Sequence, residues 1–188
     1  MPIGQAKFGL LGGVADLGKL ELIETQTASA DSSLDFTTLG NYNVHFLTIN
    51  DYQPATDNTS MLIRLSDDGG STYEIANYKW AHLQIYTGPF IYEYKSSTAT
   101  SLEINRENGN LTNENGNAYV YLYSLEDSSK FSFTTSHSSQ TTKFSGQFAM
   151  QFGSGVYSVK SSINAFRLLS SSGNFDCTAS LYGIAESK

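Results

Sequence analysis

The sequence is short of charge, of cysteine and of any long apolar run. Asp, Glu, Lys and Arg make up 15% of its 188 residues, against roughly 25% in ordinary globular chains. Ser and Thr stand where charges are missing, giving a hydroxyl- and amide-rich surface that suits an extracellular protein or one built into a particle. The charge that remains is acidic, with 18 Asp and Glu against 11 Lys and Arg, a formal net charge of −7 and a pI of about 4.8. Attraction to nucleic-acid phosphates is therefore excluded as a driving force. A single cysteine, Cys177, excludes an internal disulfide framework and a thiolate metal cluster. It falls on the inward phase of a strand-like run, where a small buried hydrophobe is expected rather than a reactive thiol. There is no run of 18 apolar residues to cross a membrane as a helix. Phe8 to Val14, broken by Gly9, Gly12 and Gly13 and preceded only by Lys7, is too weak for a signal-peptide core. Neither membrane insertion nor secretory export is expected.

A helical period is also missing, and short alternating runs between turn signals take its place. The chain is 39% hydrophobic and 13% aromatic, enough for one domain with a real core. Residues 1–19 read as an irregular, Gly-rich anchoring arm, with Phe8, Leu10, Leu11 and Val14 as its contacts on a neighbouring subunit, the alternative being an arm packed on its own domain. Residues 20–188 read as an all-β domain. Leu20 to Thr25 and Leu34 to Thr37 look like a first strand pair. In Asn43 to Asn50, Val44 and Phe46 take one phase and Leu47 and Ile49 the other, implying burial on both sides or a bulge. Met61, Ile63 and Leu65 alternate with polar neighbours before Asp67-Asp68-Gly69-Gly70, a turn in which Gly supplies positive φ.

Tyr78 to Tyr86 has an aliphatic phase (Ala81, Leu83, Ile85) expected on the core and an aromatic-polar phase (Tyr78, Trp80, His82, Gln84, Tyr86) expected toward a ligand, a partner or water. Asn-Gly at positions 108–109 and 115–116 is a hairpin signal. Ala118, Val120 and Leu122 alternate with a row of Tyr119, Tyr121 and Tyr123. Thr134 to Thr142 reads as a Ser/Thr loop, and Phe144, Phe148, Met150 and Phe152 as the core side of a strand. Ser161 to Lys188 reads as a closing hairpin in which Phe175, Cys177, Ala179 and Leu181 point inward. About ten strands with turns every eight to twelve residues indicate an antiparallel β-sandwich of jelly-roll type, with a barrel as the alternative.

Chemistry is sparse. His45, His82 and His137 lack the spacing of a metal site. Asp67, Asp68 and Glu74 lack the alternating ligands of a calcium loop, and Gly153-Ser154-Gly155 lacks the spacing of a nucleophile elbow. No catalytic, cofactor or metal residue is nominated. Binding falls to the aromatic residues Trp80, Tyr92, Tyr94, Tyr119, Tyr121 and Tyr123, which suit stacking on sugar rings or filling a subunit interface; the alternative is that half of them line the core and the rest form cross-strand pairs.

Two segments, Pro54 to Tyr73 and above all Ser161 to Ala185, resemble small structural proteins of tailed bacteriophages. In the second, Ile163, Phe166, Leu168, Ser172 to Phe175, Thr178 and Leu181 to Ile184 carry the likeness, and Glu24 to Leu39 is similar to a further stretch. The resemblance implies a virion protein exposed on the particle exterior, commonly trimeric and bound to other virion proteins. The leading expectation is a tail-fibre or tail-tip component contacting host cell-surface glycan, and the alternative is capsid decoration. It implies no active site.

Overall fold

Period-two alternation governs the chain from Lys19 onward, and the computed structural model describes residues 19–144 and 146–185. The arm residues Phe8, Leu10, Leu11 and Val14 lie outside them. The described residues form β1 (Lys19–Asp31), β2 (Ser33–Phe36), β3 (Val44–Pro54), β4 (Thr59–Ser66), β5 (Tyr78–Tyr86), β6 (Ile91–Ala99), β7 (Leu102–Asn108), β8 (Gly116–Tyr123), β9 (Ser132–Thr141), β10 (Phe148–Tyr157), β11 (Ala165–Ser170) and β12 (Phe175–Ala185). They make two antiparallel sheets, open at their edges rather than closed into a barrel. The larger has eight strands in the order β1-β12-β3-β8-β9-β10-β5-β6, and the smaller has four, β2-β11-β4-β7.

Eight of the strands pair in nested fashion: β1 with β12, β2 with β11, β3 with β8 and β4 with β7. The other four, β5, β6, β9 and β10, lengthen the larger sheet beyond β8. Leu47, Ile49, Val120, Leu122, Ala179 and Leu181 from the larger sheet share one buried cluster with Phe36, Ile63, Leu65, Phe166 and Leu168 from the smaller. Phe36 stacks on Phe166 at 4.8 Å and Tyr52 meets Phe175 at 5.3 Å. Each large apolar side chain buried this way contributes about 1.5–3 kcal/mol.

Several local expectations hold. The inward phase of β12 is Phe175, Cys177, Ala179 and Leu181, and β3 carries a bulge between Ile49 and Tyr52 with Asp51 at φ 55°. Gly69 and Gly70 take φ of 74° and 87°, as a turn through the left-handed region requires.

Others are corrected. Leu20–Thr25 and Leu34–Thr37 are not partners, because β1 and β2 belong to different sheets. The closing segment is not a hairpin either: its turn, with Gly173 at φ 71°, carries the chain from β11 in the small sheet across to β12 in the large one. A turn of this composition serves either purpose, since both need only a reversal with one left-handed residue. The Asn-Gly pairs likewise lie between β7 and β8, in different sheets. There the left-handed residue is Glu107, while the buried Asn108 exchanges amide hydrogen bonds with Asn105 at 2.8 and 3.1 Å and donates to the Thr59 carbonyl at 2.8 Å. Finally, the Ser/Thr loop is the strand β9, its hydroxyls alternately buried and exposed.

Candidate functional site

The larger sheet is twice as wide as the smaller: the edge strand β7 packs against β9, β10 and β5, and β6 overhangs it. This edge inverts two phase assignments. On β5 the buried residues are Tyr78, His82, Gln84 and Tyr86, with Trp80 half-buried among them, while Ala81 is exposed and Leu83 and Ile85 lie on the outward face. On β10, Ala149 and Gln151 are buried, and Phe148 and Phe152 are exposed with Met150 beside them. The cause is the unpaired edge of β7, whose main-chain carbonyls need donors. Gln151 Nε2 donates to the Ile104 carbonyl at 3.2 Å and Gln140 Nε2 to the Arg106 carbonyl at 3.1 Å. Further along, the Lys143 amide donates to the Glu107 carbonyl at 2.9 Å. Polar side chains therefore point inward here, and the apolar ones are left outside.

The six aromatic residues singled out from the sequence fall on opposite faces of the larger sheet. Tyr119, Tyr121 and Tyr123 lie on its outer face. Phe46 on β3 packs against Tyr121 at 4.8 Å and approaches Tyr182 on β12 at 6.3 Å. Tyr119 meets the His137 ring edge-on at 5.5 Å, and its hydroxyl is 3.2 Å from His137 Nδ1. Two shallow grooves flank this contact. One, of about 420 Å³, lies between the tyrosine row and Met150 and Phe152; the other, of about 370 Å³, is lined by Phe46, Thr48, Asn50 and Ser139. The outward positions from Val44 to Asn50 on β3, and all of those on β8, β9 and β10, hold no Asp, Glu, Lys or Arg.

Trp80, Tyr92 and Tyr94 lie on the inner face of the overhang. Tyr92 and Tyr94 sit opposite Gln84 and His82 across the β5–β6 pair, and residues opposite one another share a face. Trp80 stacks on His82 at 4.7 Å. Phe90, Tyr92 and Tyr94 form a file with 6.0 Å between successive centroids. The Arg106 guanidinium lies 4.0 Å over the Tyr94 ring and its Nε is 3.4 Å from Glu103 Oε1. Tyr86 donates to Glu107, which Lys143 also approaches at 2.9 Å. Burial and the acceptor Glu107 both push the Tyr86 hydroxyl above its ordinary range. Burial alone would raise the Glu107 carboxyl, but the bonds from Tyr86 and Lys143 reverse that and leave it lowered.

The remaining candidates sit apart. His45 is buried with Nε2 donating to the Leu39 carbonyl at 2.9 Å, and burial lowers its pKa. Asp68 is held down to about 2, first by the Thr72 main-chain N–H and then by the Thr72 and Ser66 hydroxyls. Asp67 accepts from Ser161 at 2.6 Å. These acids serve as turn ties, and among the described residues no group of three or more His, Cys, Asp or Glu is placed to hold a metal. The Cys177 thiol is buried, which pushes it up to about 12. Sequence reasoning missed Phe46, Phe152 and Arg106 as members of these faces. A signal for the first existed in the two-phase apolar pattern of Val44 to Ile49.

Fold and surface together define a two-sheet β protein that carries aromatic side chains on both faces of its larger sheet. The chain matches no family model, no curated protein and no solved structure.

Proposed function

We propose that the chain is a structural subunit of a tailed-bacteriophage virion. It is a tail-fibre or tail-tip component displayed on the particle, and it assembles as a homotrimer through the outer aromatic face of its larger sheet. The observation that carries the reading is that face. Six strands spaced about 4.8 Å, each contributing about eight residues at 3.4 Å, offer about 800 Å², the area one partner buries in a standard interface. Such a face, aromatic at its centre and free of charge from Val44 to Asn50 on β3 and across β8, β9 and β10, has the composition of an interface core.

Two further points support the virion reading. The nested pairing of β1/β12, β2/β11, β3/β8 and β4/β7 suits a jelly roll, an architecture shared by capsid and lectin domains. The segments resembling phage structural proteins, Pro54 to Tyr73 and Ser161 to Ala185, fall on β4 with its following turn and on β11 and β12. Residues 1–19 are the anchor in this reading.

The test is the mass of the purified full chain by light scattering, with three times the 20.5 kDa of one chain as the expected value. A monomer at tens of micromolar would overturn the trimer. Quantitative proteomics of purified particles tests the location: a few to dozens of copies fit the tail, hundreds would indicate capsid decoration instead, and none would sink the virion reading.

A further inference from the structure

We propose that the inner face of the overhang, from Trp80 across Tyr92 and Tyr94 to Arg106, is a binding site for a neutral oligosaccharide. The inference stands on these side chains and does not need the trimer or the virion.

The smaller sheet ends at β7, so Arg106 covers Tyr94 while Phe90 and Tyr92, at the other end of the aromatic file, are left without a covering layer. Phe90 and Tyr92 remain 49% and 43% exposed, although Tyr92 sits in the regular part of the β5–β6 pair, from Ala81↔Lys95 to Ile85↔Ile91, and Phe90 is tied to Tyr86 by a main-chain bond just before it. The rings are thus displayed in a row on a rigid support, at the mouth between the two sheets. A pyranose presents an apolar C–H face and a rim of hydroxyls. Rings stack on the face, and directional polar groups take the rim, the usual division of labour in a small-molecule site.

The polar groups are in place beside the rings. Arg106 is held by Tyr94 below and Glu103 alongside, and its terminal NH2 groups have no partner among the described residues, with 30% of the side chain reaching solvent. Gln84, directly opposite Tyr92, is fully buried, and both polar atoms of its amide lack a hydrogen-bond partner. Each such group costs about 1–3 kcal/mol, which a water enclosed beside the amide would recover, so the sugar rim is left to Arg106.

Charge selects the class of sugar. Arg106 pairs with Glu103 and Lys143 with Glu107, so the site contributes no net charge, while the chain as a whole carries −7. An acidic polysaccharide gains nothing there, and a neutral one is not opposed.

Trp80 is the only tryptophan of the chain, so its emission reports directly on this site. Cellohexaose, maltohexaose and chitohexaose, each titrated to about 10 mM, cover affinities down to the millimolar range of weak single-site binding. At least one is expected to give a saturable change in Trp80 emission. Tyr92→Ala should weaken it at least tenfold, Tyr92→Phe should retain it because the stacking ring remains, and Tyr121→Ala, on the opposite face, should leave it unchanged. No change with any of the three, or an unaltered affinity in a folded Tyr92→Ala variant, would overturn the proposal, and neither result bears on the trimer.

Discussion

Gln151 on β10 of the larger sheet donates from its side-chain amide to the main-chain carbonyl of Ile104 on β7 of the smaller, at 3.2 Å. The same nitrogen lies 2.9 Å from His82 Nδ1, so one buried amide serves two acceptors in two different strands. Gln140 repeats the device at Arg106. An edge strand that would invite another chain to pair is thereby sealed by side chains.

Replacing Gln151 by Leu should lower stability by about 1–3 kcal/mol, because it keeps the volume and strands two acceptors at about 1–3 kcal/mol each while removing Gln151 Oε1, a buried atom without a partner that costs about as much as one of them. Urea unfolding measures it. A loss below about 0.5 kcal/mol, the scatter of ordinary surface changes, would show that the edge is not held by this residue.

Gly153 sits opposite His82 in the β5–β10 pair. A Cβ there would run into the His82 ring and the main chain around Ala81. Gly153→Ala is therefore expected to cost about 1–3 kcal/mol as an overpacking change, with the near-ultraviolet signal of Trp80 altered because that ring stacks on His82. Thermal melts of the variant, with wild-type behaviour as the contrary result, decide this.

The outer face predicts the reverse pattern. Tyr121→Glu or Phe152→Glu places a charge on an exposed or half-exposed position and should leave the fold intact while dissociating the proposed trimer to monomer. Light scattering on a variant with an unchanged circular-dichroism spectrum is the measurement, and a persistent trimer would move the interface elsewhere.

His45 has its pKa lowered, chiefly by burial, with a smaller opposing contribution from the Leu39 carbonyl. The unfolded chain therefore takes up a proton more readily than the folded one as pH falls below about 6.5, the ordinary histidine value. Stability from this group is complete above that pH and declines on acidification. Urea midpoints at pH 7.5 and 5.0 should differ less for His45→Gln than for the parent chain; equal differences would remove His45 as the cause.

Cys177, buried with its thiol pushed up to about 12, should resist a thiol reagent at pH 8 in the native state. Labelling should follow unfolding rather than reagent concentration, since the reactive thiolate is both scarce and covered. Rapid labelling of native protein would contradict the packing of β12.

The class of fold was legible because alternation survives where one face meets an apolar core, as on β8 and β12. It failed on β5 and β10, where the inward face meets a polar edge. Gln151 on β10 and Gln140 on β9 point inward there to satisfy main-chain carbonyls of β7, with His82 bonded to Gln151, a requirement invisible until β7 is known to be an edge. Sheet membership was equally hidden, since the Ser-Gly-Asn turn before Phe175 suits a hairpin and a crossing alike. The tyrosine row on β8 could be read directly. Its companions Phe46 and Phe152 come from strands far apart in sequence, and the separation of Trp80, Tyr92 and Tyr94 onto the other face followed only from the overhang.

The nesting of strands fixes the order of events during synthesis. β12 lies between β1 and β3, so the larger sheet has a gap at its second position until the segment from Phe175 to Ala185 arrives. Up to that moment β1 has no neighbour in its sheet, and the inner faces of Leu47 and Ile49 lack the Ala179 and Leu181 beside them. A nascent chain halted before Phe175 would present unpaired strand edges to the cell, the condition under which β proteins aggregate. The β1–β12 pairing joins the two ends of the described chain, a non-local contact of the kind that slows folding.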